Sequence, residues 1–221
     1  MSPYKKSIDA KNRILTVAEE LFALNGFDAT GIAQIAEKSG IAKSLLYYYF
    51  NSKEQILEEL VSNYLLKVRE EKKKILSGDL SQAEAVRLSM LKGFSLLSGS
   101  KKLIRILIAE MLKGNVKKEY MLSIIESIIP ATLSGKISFE KEPGSSVDLS
   151  AYMFFFALSP LISYMIFGDT WIGSKQLDKT DFTEQFVNMA ITSVCNDATG
   201  LTYDFFEPHR EMIVENIKKL L

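Results

Sequence analysis

The segment that most constrains what this chain folds into runs from Thr30 to Lys53, TGIAQIAEKSGIAKSLLYYYFNSK. It specifies a helix, a tight turn and a second helix. Ile32, Ile35 and Ala36 fall at i, i+3 and i+4, so they share one buried face. Thr30 is placed to cap that helix, its hydroxyl taking an orphan backbone N–H. Gly40 follows Ser39 where a helix stops with a left-handed residue, and Ile41 is a hydrophobic plug just past the turn. Lys43 to Phe50 is long enough for two helical turns. Its rings, Tyr47-Tyr48-Tyr49-Phe50, cover more than half of the helical circumference, so at least one ring faces away from the core. Ser52 with Gln55 forms a capping box that starts a new helix near Lys53.

The preceding segment reads as a supporting helix. Ile8 to Leu24 places Ile14, Val17, Ala18, Leu21 and Phe22 on one face, and Asn25-Gly26 ends it. Phe27 is a core residue that ties down the loop. Three helices over residues 8–50 bury too little by themselves, so the helix beginning at Lys53 has to complete their core. A helix-turn-helix whose second helix turns polar and aromatic side chains outward has the form of a DNA-reading element.

From about Arg13 to Leu57 the chain resembles the N-terminal domain of the TetR family of transcriptional regulators. The matching residues are Ile14-Leu15, Ala18 through Phe22, Gly26-Phe27, Thr30, Ile35-Ala36, Gly40-Ile41, Lys43, Leu46-Tyr47, Tyr49-Phe50 and Ser52-Lys53-Glu54, at fixed spacing without gaps. The rest of the chain matches only in length and helical character. Two positions depart from the pattern. Gly31 stands in the first turn of the second helix, where it costs about 1 kcal/mol of helix propensity relative to Ala, and Ser44 stands where the family often has glycine or proline.

Composition permits this reading without forcing it. Lys+Arg and Asp+Glu are both 27 in 221 residues, so the net charge is zero. Residues 1–53 hold seven Lys/Arg against five acids, a mild excess that allows a few well-placed phosphate contacts. The single cysteine, Cys195, excludes an intrachain disulfide and suits a reducing cytoplasm. With one histidine, His209, beside that one cysteine, the usual zinc sites cannot be assembled. The first residues are polar and charged, so no secretory signal is expected and the chain is read as cytoplasmic. No nucleophile–His–acid arrangement and no phosphate-binding glycine loop stands out, so neither an enzyme nor a cofactor is expected.

Leu149 to Gly168, LSAYMFFFALSPLISYMIFG, carries no charge over twenty residues. That is long enough to cross a bilayer. Against a span, Pro160 interrupts the run, Ser150, Ser159 and Ser163 dilute it, and acids rather than basic clusters flank it. The better reading is a helix that packs within its own domain and on a second subunit, because a helix apolar all round must be covered on all sides.

The whole chain reads as all-α, with nine or ten helices. A helix from Lys53 to about Leu76 passes through Leu57, Leu60, Val61, Tyr64 and Val68, with a solvated charged stretch VREEKKK and Gly78 beyond its end. Helices follow at Ser81 to about Leu97, opened by a Ser81/Glu84 capping box, then at Lys101 to Leu112 and Lys117 to about Ile129. Residues 134–147 are loop-like. Helices at 148–168, about 178–195 and Pro208–Leu221 complete the chain, the last carrying Met212, Ile213, Ile217 and Leu220-Leu221. The resemblance implies a helix-turn-helix domain over 1–53 and a larger ligand-binding and dimerisation domain over 54–221. It also implies a homodimer paired through the helices at 148–168 and 178–195. The helix at 208–221 then covers a pocket or enlarges the dimer interface.

The first turns of the reading helix supply the candidates for base edges: Ala42, Lys43, Ser44 and Tyr48. Thr30, Tyr47 and Lys53 are the candidates for phosphates, Thr30 standing at the positive end of a helix. Tyr48 is divided between core edge and DNA, and Tyr49 and Phe50 belong to the core. Candidate walls for a small-molecule effector are Met90, Phe94, Met111, Tyr120, Tyr152, Phe155 and Tyr164, residue types that are more often ordinary core and that, if they line a pocket, point to an apolar or aromatic ligand. Glu110, the acid within IRILIAEML, either meets a cationic group or lies on a solvent face. The resulting expectation is a sequence-specific regulator, a repressor released from a pseudo-palindromic DNA operator by its effector. The alternative is a helical protein-interaction module that keeps the head without binding DNA specifically.

Overall fold

In the computed structural model, residues 3–80, 88, 92–93, 95–97, 99–115, 153–195 and 202–219 are described. Every regular element among them is helical. The elements are α1 (Pro3–Asn25), α2 (Ile32–Ser39), α3 (Lys43–Tyr49), α4 (Lys53–Leu76), α5 (Lys101–Leu112), a π-helical turn (Met153–Leu158), α6 (Ser159–Lys175), α7 (Lys179–Val194), α8 (Tyr203–Phe206) and, after a 3-10 turn, α9 (Arg210–Lys218). Two compact units result. One comprises Met1–Leu66 and Lys102–Met121, the other Lys67–Lys101 and Leu122–Leu221. Packing therefore groups most of α5 and the first part of α4 with the helix-turn-helix, where the sequence division fell at 53/54.

In the first unit, α1 packs on α2 and α2 on α3. Ile14, Leu15, Ala18, Leu21 and Phe22 of α1 meet Ile35, Ala36, Leu46 and Phe50 in a core that Ile56, Leu57, Leu60, Val61 and Tyr64 of α4 complete. Val17 and Ile32, expected on buried faces, are half-buried, and Ala10 and Leu15 are core residues the pattern missed. Helix α1 begins at Pro3 rather than Ile8, as suits a proline in the first turn. The helix ends follow the expected chemistry. Gly26 (φ 84°) closes α1 and Gly40 (φ 63°) closes α2. At α2 the closure is a Schellman motif: Ile41 N–H donates to the Ala36 carbonyl at 3.0 Å and Gly40 N–H to Glu37 at 3.0 Å. The capping box at α4 forms with a shift of one residue. Gln55 N–H donates to Ser52 Oγ, while Gln55 Oε1 accepts from Asn51 rather than Ser52.

The second unit is built around α7, which packs against the π-turn, α6, α8 and α9. Asp178 caps α7 by accepting from the N–H groups of Thr180 and Asp181. Of the helix expected over 148–168, residues 148–152 lie outside those described; the rest forms the π-turn and α6, which runs on to Lys175 with Pro160 in its first turn. A proline cannot donate to the carbonyl four residues earlier. Here that carbonyl belongs to Phe156, and Ser193 Oγ of α7 donates to it at 2.9 Å. The Ser193 hydroxyl stands between this carbonyl and that of Ala190 in its own helix, at 2.7 Å. Near the C-terminus, α9 is shorter than expected and buries Ile213, Val214 and Ile217, while Met212 is exposed. Arg210 holds this segment to α7 through two donations to Asn188 Oδ1. No helix of the described residues is long and apolar enough to cross a membrane. Those residues also hold no group of His, Cys, Asp and Glu that could take a metal ion.

Candidate nucleic-acid interface

Helix α3 is anchored from one side and open on the other. Leu46 is wholly buried and Phe50 nearly so. Lys43, Ser44, Tyr47 and Tyr48 are exposed, Tyr48 at 80%. At 100° per residue these four occupy an arc of about 140°, turned away from Leu46. Ala42, at the N-cap, is exposed beside them. The Lys43 ammonium lies 5.9 Å from the centre of the Tyr47 ring, and Tyr48 stands edge-on to half-buried Tyr49 at 5.3 Å. The outward face therefore carries one cation, a hydroxyl and two phenols, groups that donate to base edges and phosphates.

Three side chains set the posture of this helix. Arg13 of α1 donates through Nη2 to the Ser39 carbonyl at the end of α2, so α1 grips the turn between the two helices. Lys11 pairs with Glu59 of α4 at 2.6 Å and lies 5.7 Å from the Phe50 ring. Lys53 spreads its ammonium over the carbonyls of Phe27 (2.8 Å), Asp28 (3.1 Å) and Thr30 (3.4 Å), above the Phe27 ring at 4.6 Å.

Two of the residues expected at phosphates have their polar groups engaged within the head. Thr30 is 1% exposed, and its hydroxyl points back at the carbonyls of Gly26 (2.8 Å) and Leu21 (3.2 Å). It closes α1 rather than capping α2, whose N-cap is Gly31 with no side-chain bond. Lys53 is half-buried and its donors are engaged by the α1–α2 turn, so it braces the head instead of standing clear for a phosphate. Arg13 was missed as a functional position, because nothing local in the sequence says where a long cationic side chain will find a carbonyl 26 residues away.

Of the candidate ligand walls, Met90, Phe94, Tyr120 and Tyr152 lie outside the described residues. Tyr164 is core in the second unit. It stacks on Phe182, leans on Phe186 and shares a hydrogen bond with buried Thr183, and burial raises its phenol above the ordinary value. Phe155 is 63% exposed, which is a surface position rather than a pocket wall. Met111 is half-buried on α5. Glu110 is on neither a solvent face nor a vacant cation site: it is 1% exposed and accepts from Lys113 at 2.7 Å and Asn115 Nδ2 at 2.8 Å.

Residues 14–60, the segment built around this helix pair, match the profile of "Bacterial regulatory proteins, tetR family". Over those residues the chain has a head domain of the TetR type. The match supports a DNA-binding transcriptional regulator. Among curated TetR relatives and similar proteins, the "Fatty acid metabolism regulator protein" of Bacillus subtilis (strain 168) is 26% identical over 194 residues, spanning 83% of this chain and 95% of that one. The "HTH-type transcriptional regulator QacR" of Staphylococcus aureus is 39% identical over 67 residues, which cover 30% of this chain and 36% of QacR. That match takes in little more than a head domain. The solved "Clostridium perfringens putative fatty acid metabolism regulator" superposes with a TM-score of 0.51 at 20% identity over 80% of this chain and 96% of that protein, a likeness of fold.

Proposed function

We propose that this protein is a homodimeric repressor that reads a pseudo-palindromic operator through α3 and leaves it when a small apolar ligand binds the helical domain. The observation that carries the reading is the outward face of α3, with Lys43, Ser44, Tyr47 and Tyr48 clear of a helix locked by Leu46 and Phe50. Lys43 donates to guanine O6 and N7, Ser44 and Tyr48 complete the base contacts beside Ala42, and Tyr47 reaches a phosphate. With Thr30 and Lys53 engaged internally, backbone N–H groups at the start of α2 take over the phosphate they were expected to hold.

Dimerisation is supported by apolar surface in the second unit. Phe155, Phe156, Phe167 and Trp171 on the π-turn and α6, with Met189 on α7, are exposed on the elements expected to pair. Large exposed apolar patches mark interaction surfaces. Two heads related by a two-fold axis read half-sites about one helical turn apart or somewhat more. A ligand opposes DNA only through differential affinity for the two head spacings, and the coupling is reciprocal. The full-length similarity to a fatty acid metabolism regulator supports target genes in fatty acid metabolism and an effector with a long apolar chain.

Selection of binding sites from random duplex DNA, with affinity measured at several salt concentrations, tests the proposal. An inverted repeat with a steep salt slope supports it. Recovery of no motif, with weak binding at all salts, would replace it with the interaction-module alternative.

A further inference from the structure

The turn between α1 and α2 carries an exposed carboxylate, Asp28. It accepts from Lys113 Nζ at 2.8 Å, a contact that spans 85 residues of sequence. The same ammonium donates at 2.7 Å to Glu110 in the last turn of α5. Asn115 Nδ2 donates to the other Glu110 oxygen at 2.8 Å, and Asn115 N–H donates to the Glu110 carbonyl at 2.9 Å. Gly114, at φ 78°, supplies the left-handed step that folds this segment back on the helix end.

Chemistry fixes the order of dependence. A carboxylate as buried as Glu110 is costly unless hydrogen-bonded and paired. The turn after α5 meets that need, and in doing so it holds the Lys113 ammonium in place before Asp28 is considered. Asp28 then finds a cation already positioned. Its carboxyl is held below the ordinary value chiefly by the hydrogen bond from Lys113, and Lys113 is held above its own by Asp28 and then Glu110.

The contact is polar rather than packed. Asp28 and Glu110 both line a cleft of about 440 Å³ whose apolar wall is Phe27, Leu57, Val61 and Leu107. The turn and the end of α5 are thus joined by a bridge of charges beside open space.

We propose that Lys113 is a positioning residue for DNA reading: by bridging Asp28 and Glu110 it fixes the turn leading into α2 against the end of α5. The inference rests on the DNA-reading role proposed for α3, because α2 carries α3 through the Schellman turn at Gly40.

The test uses the full chain and the operator recovered by selection, with wild type, Asp28→Asn, Lys113→Met and the double variant. Each single variant is expected to weaken operator binding three- to tenfold. The salt slope should stay nearly unchanged in Lys113→Met, whereas loss of a phosphate-touching lysine removes about 0.9 from it. Asp28→Asn gives the deciding sign. Deleting an anion from the head tightens DNA binding on charge alone, so weakening in wild type combined with no weakening in the Lys113→Met background supports positioning. Tightening in both backgrounds overturns it, as does a slope lowered by about one in Lys113→Met.

Hydrogen exchange of the free protein provides a readout without DNA. Amides of residues 28–36 are expected to exchange at least threefold faster in either single variant, and unchanged protection overturns the bridge. If wild-type protein selects no DNA, the reading of α3 fails, and faster exchange in the variants still shows the bridge holding the turn.

Discussion

Substituting Gly40 by alanine probes the turn on which the reading helix hangs. Gly40 adopts φ 63°, and a Cβ built there stands 2.8 Å from Arg13 Nη2. Two costs follow. Placing an alanine in the left-handed region costs about 1–2 kcal/mol. Pushing the guanidinium off the Ser39 carbonyl forfeits a charged hydrogen bond, worth about 1 kcal/mol once the exposure of Arg13 is allowed for. Together these give about 2–3 kcal/mol, or a melting point lowered by about 5–10 °C in a chain of this size. The assay is urea and thermal unfolding of wild type, Gly40→Ala, Arg13→Ala and the double variant. Because Arg13→Ala removes the group that the new methyl displaces, Gly40→Ala should cost about 1 kcal/mol less in that background. An equal cost in both backgrounds, or a cost below about 0.5 kcal/mol in wild type, would refute the proposed contact between α1 and the turn.

Three further outcomes are expected. Thr30→Val should cost about 1 kcal/mol of stability through the lost hydroxyl donation and leave operator affinity of the folded protein unchanged; a drop in affinity at unchanged melting temperature would restore the phosphate role. Leu46→Ala should cost 2–5 kcal/mol, read by urea unfolding, because the side chain is fully enclosed. The Asp28–Lys113 bridge should protect the α1–α2 turn uniformly between about pH 5 and pH 9. The lowered Asp28 contributes above its ordinary 3.8 and is lost as pH falls through its folded value, while the raised Lys113 contributes below 10.5 and is lost as pH rises through its own. Exchange rates of residues 28–36, corrected for intrinsic pH dependence, check this, and a titration near neutrality would contradict it.

The head was largely legible because its determinants are local. Gly26 and Gly40 mark αL positions, Ser52 and Gln55 mark a helix start, and the spacing of Ile35 and Ala36 marks a buried face. What the sequence left open at Thr30 and Lys53 has one cause. Thr30 and Lys53 were assigned from their position along the chain, but their hydrogen bonds are decided by carbonyls of the α1–α2 turn that the sequence does not place in space. Glu110 was ambiguous for the same reason: its partners, Lys113 and Asn115, matter only once Gly114 turns the chain back. Pro160 looked like a break, but it falls in the first turn of α6, where a proline is tolerated. For the ligand domain, residue type cannot separate core from pocket wall. Tyr164 and Phe155 matched the same description, yet one is enclosed and the other exposed.

The most direct measurement of the central claim is the affinity and base preference of Lys43→Ala and Tyr48→Ala on the selected operator, beside wild type and with melting temperatures recorded. Both side chains project from a helix whose core they do not enter. The account predicts unchanged melting, a loss of about 1–3 kcal/mol of discrimination at one base position per half-site for Lys43→Ala, and weaker operator binding for Tyr48→Ala. Wild-type affinity and preference in both variants would contradict it and remove α3 from the DNA interface.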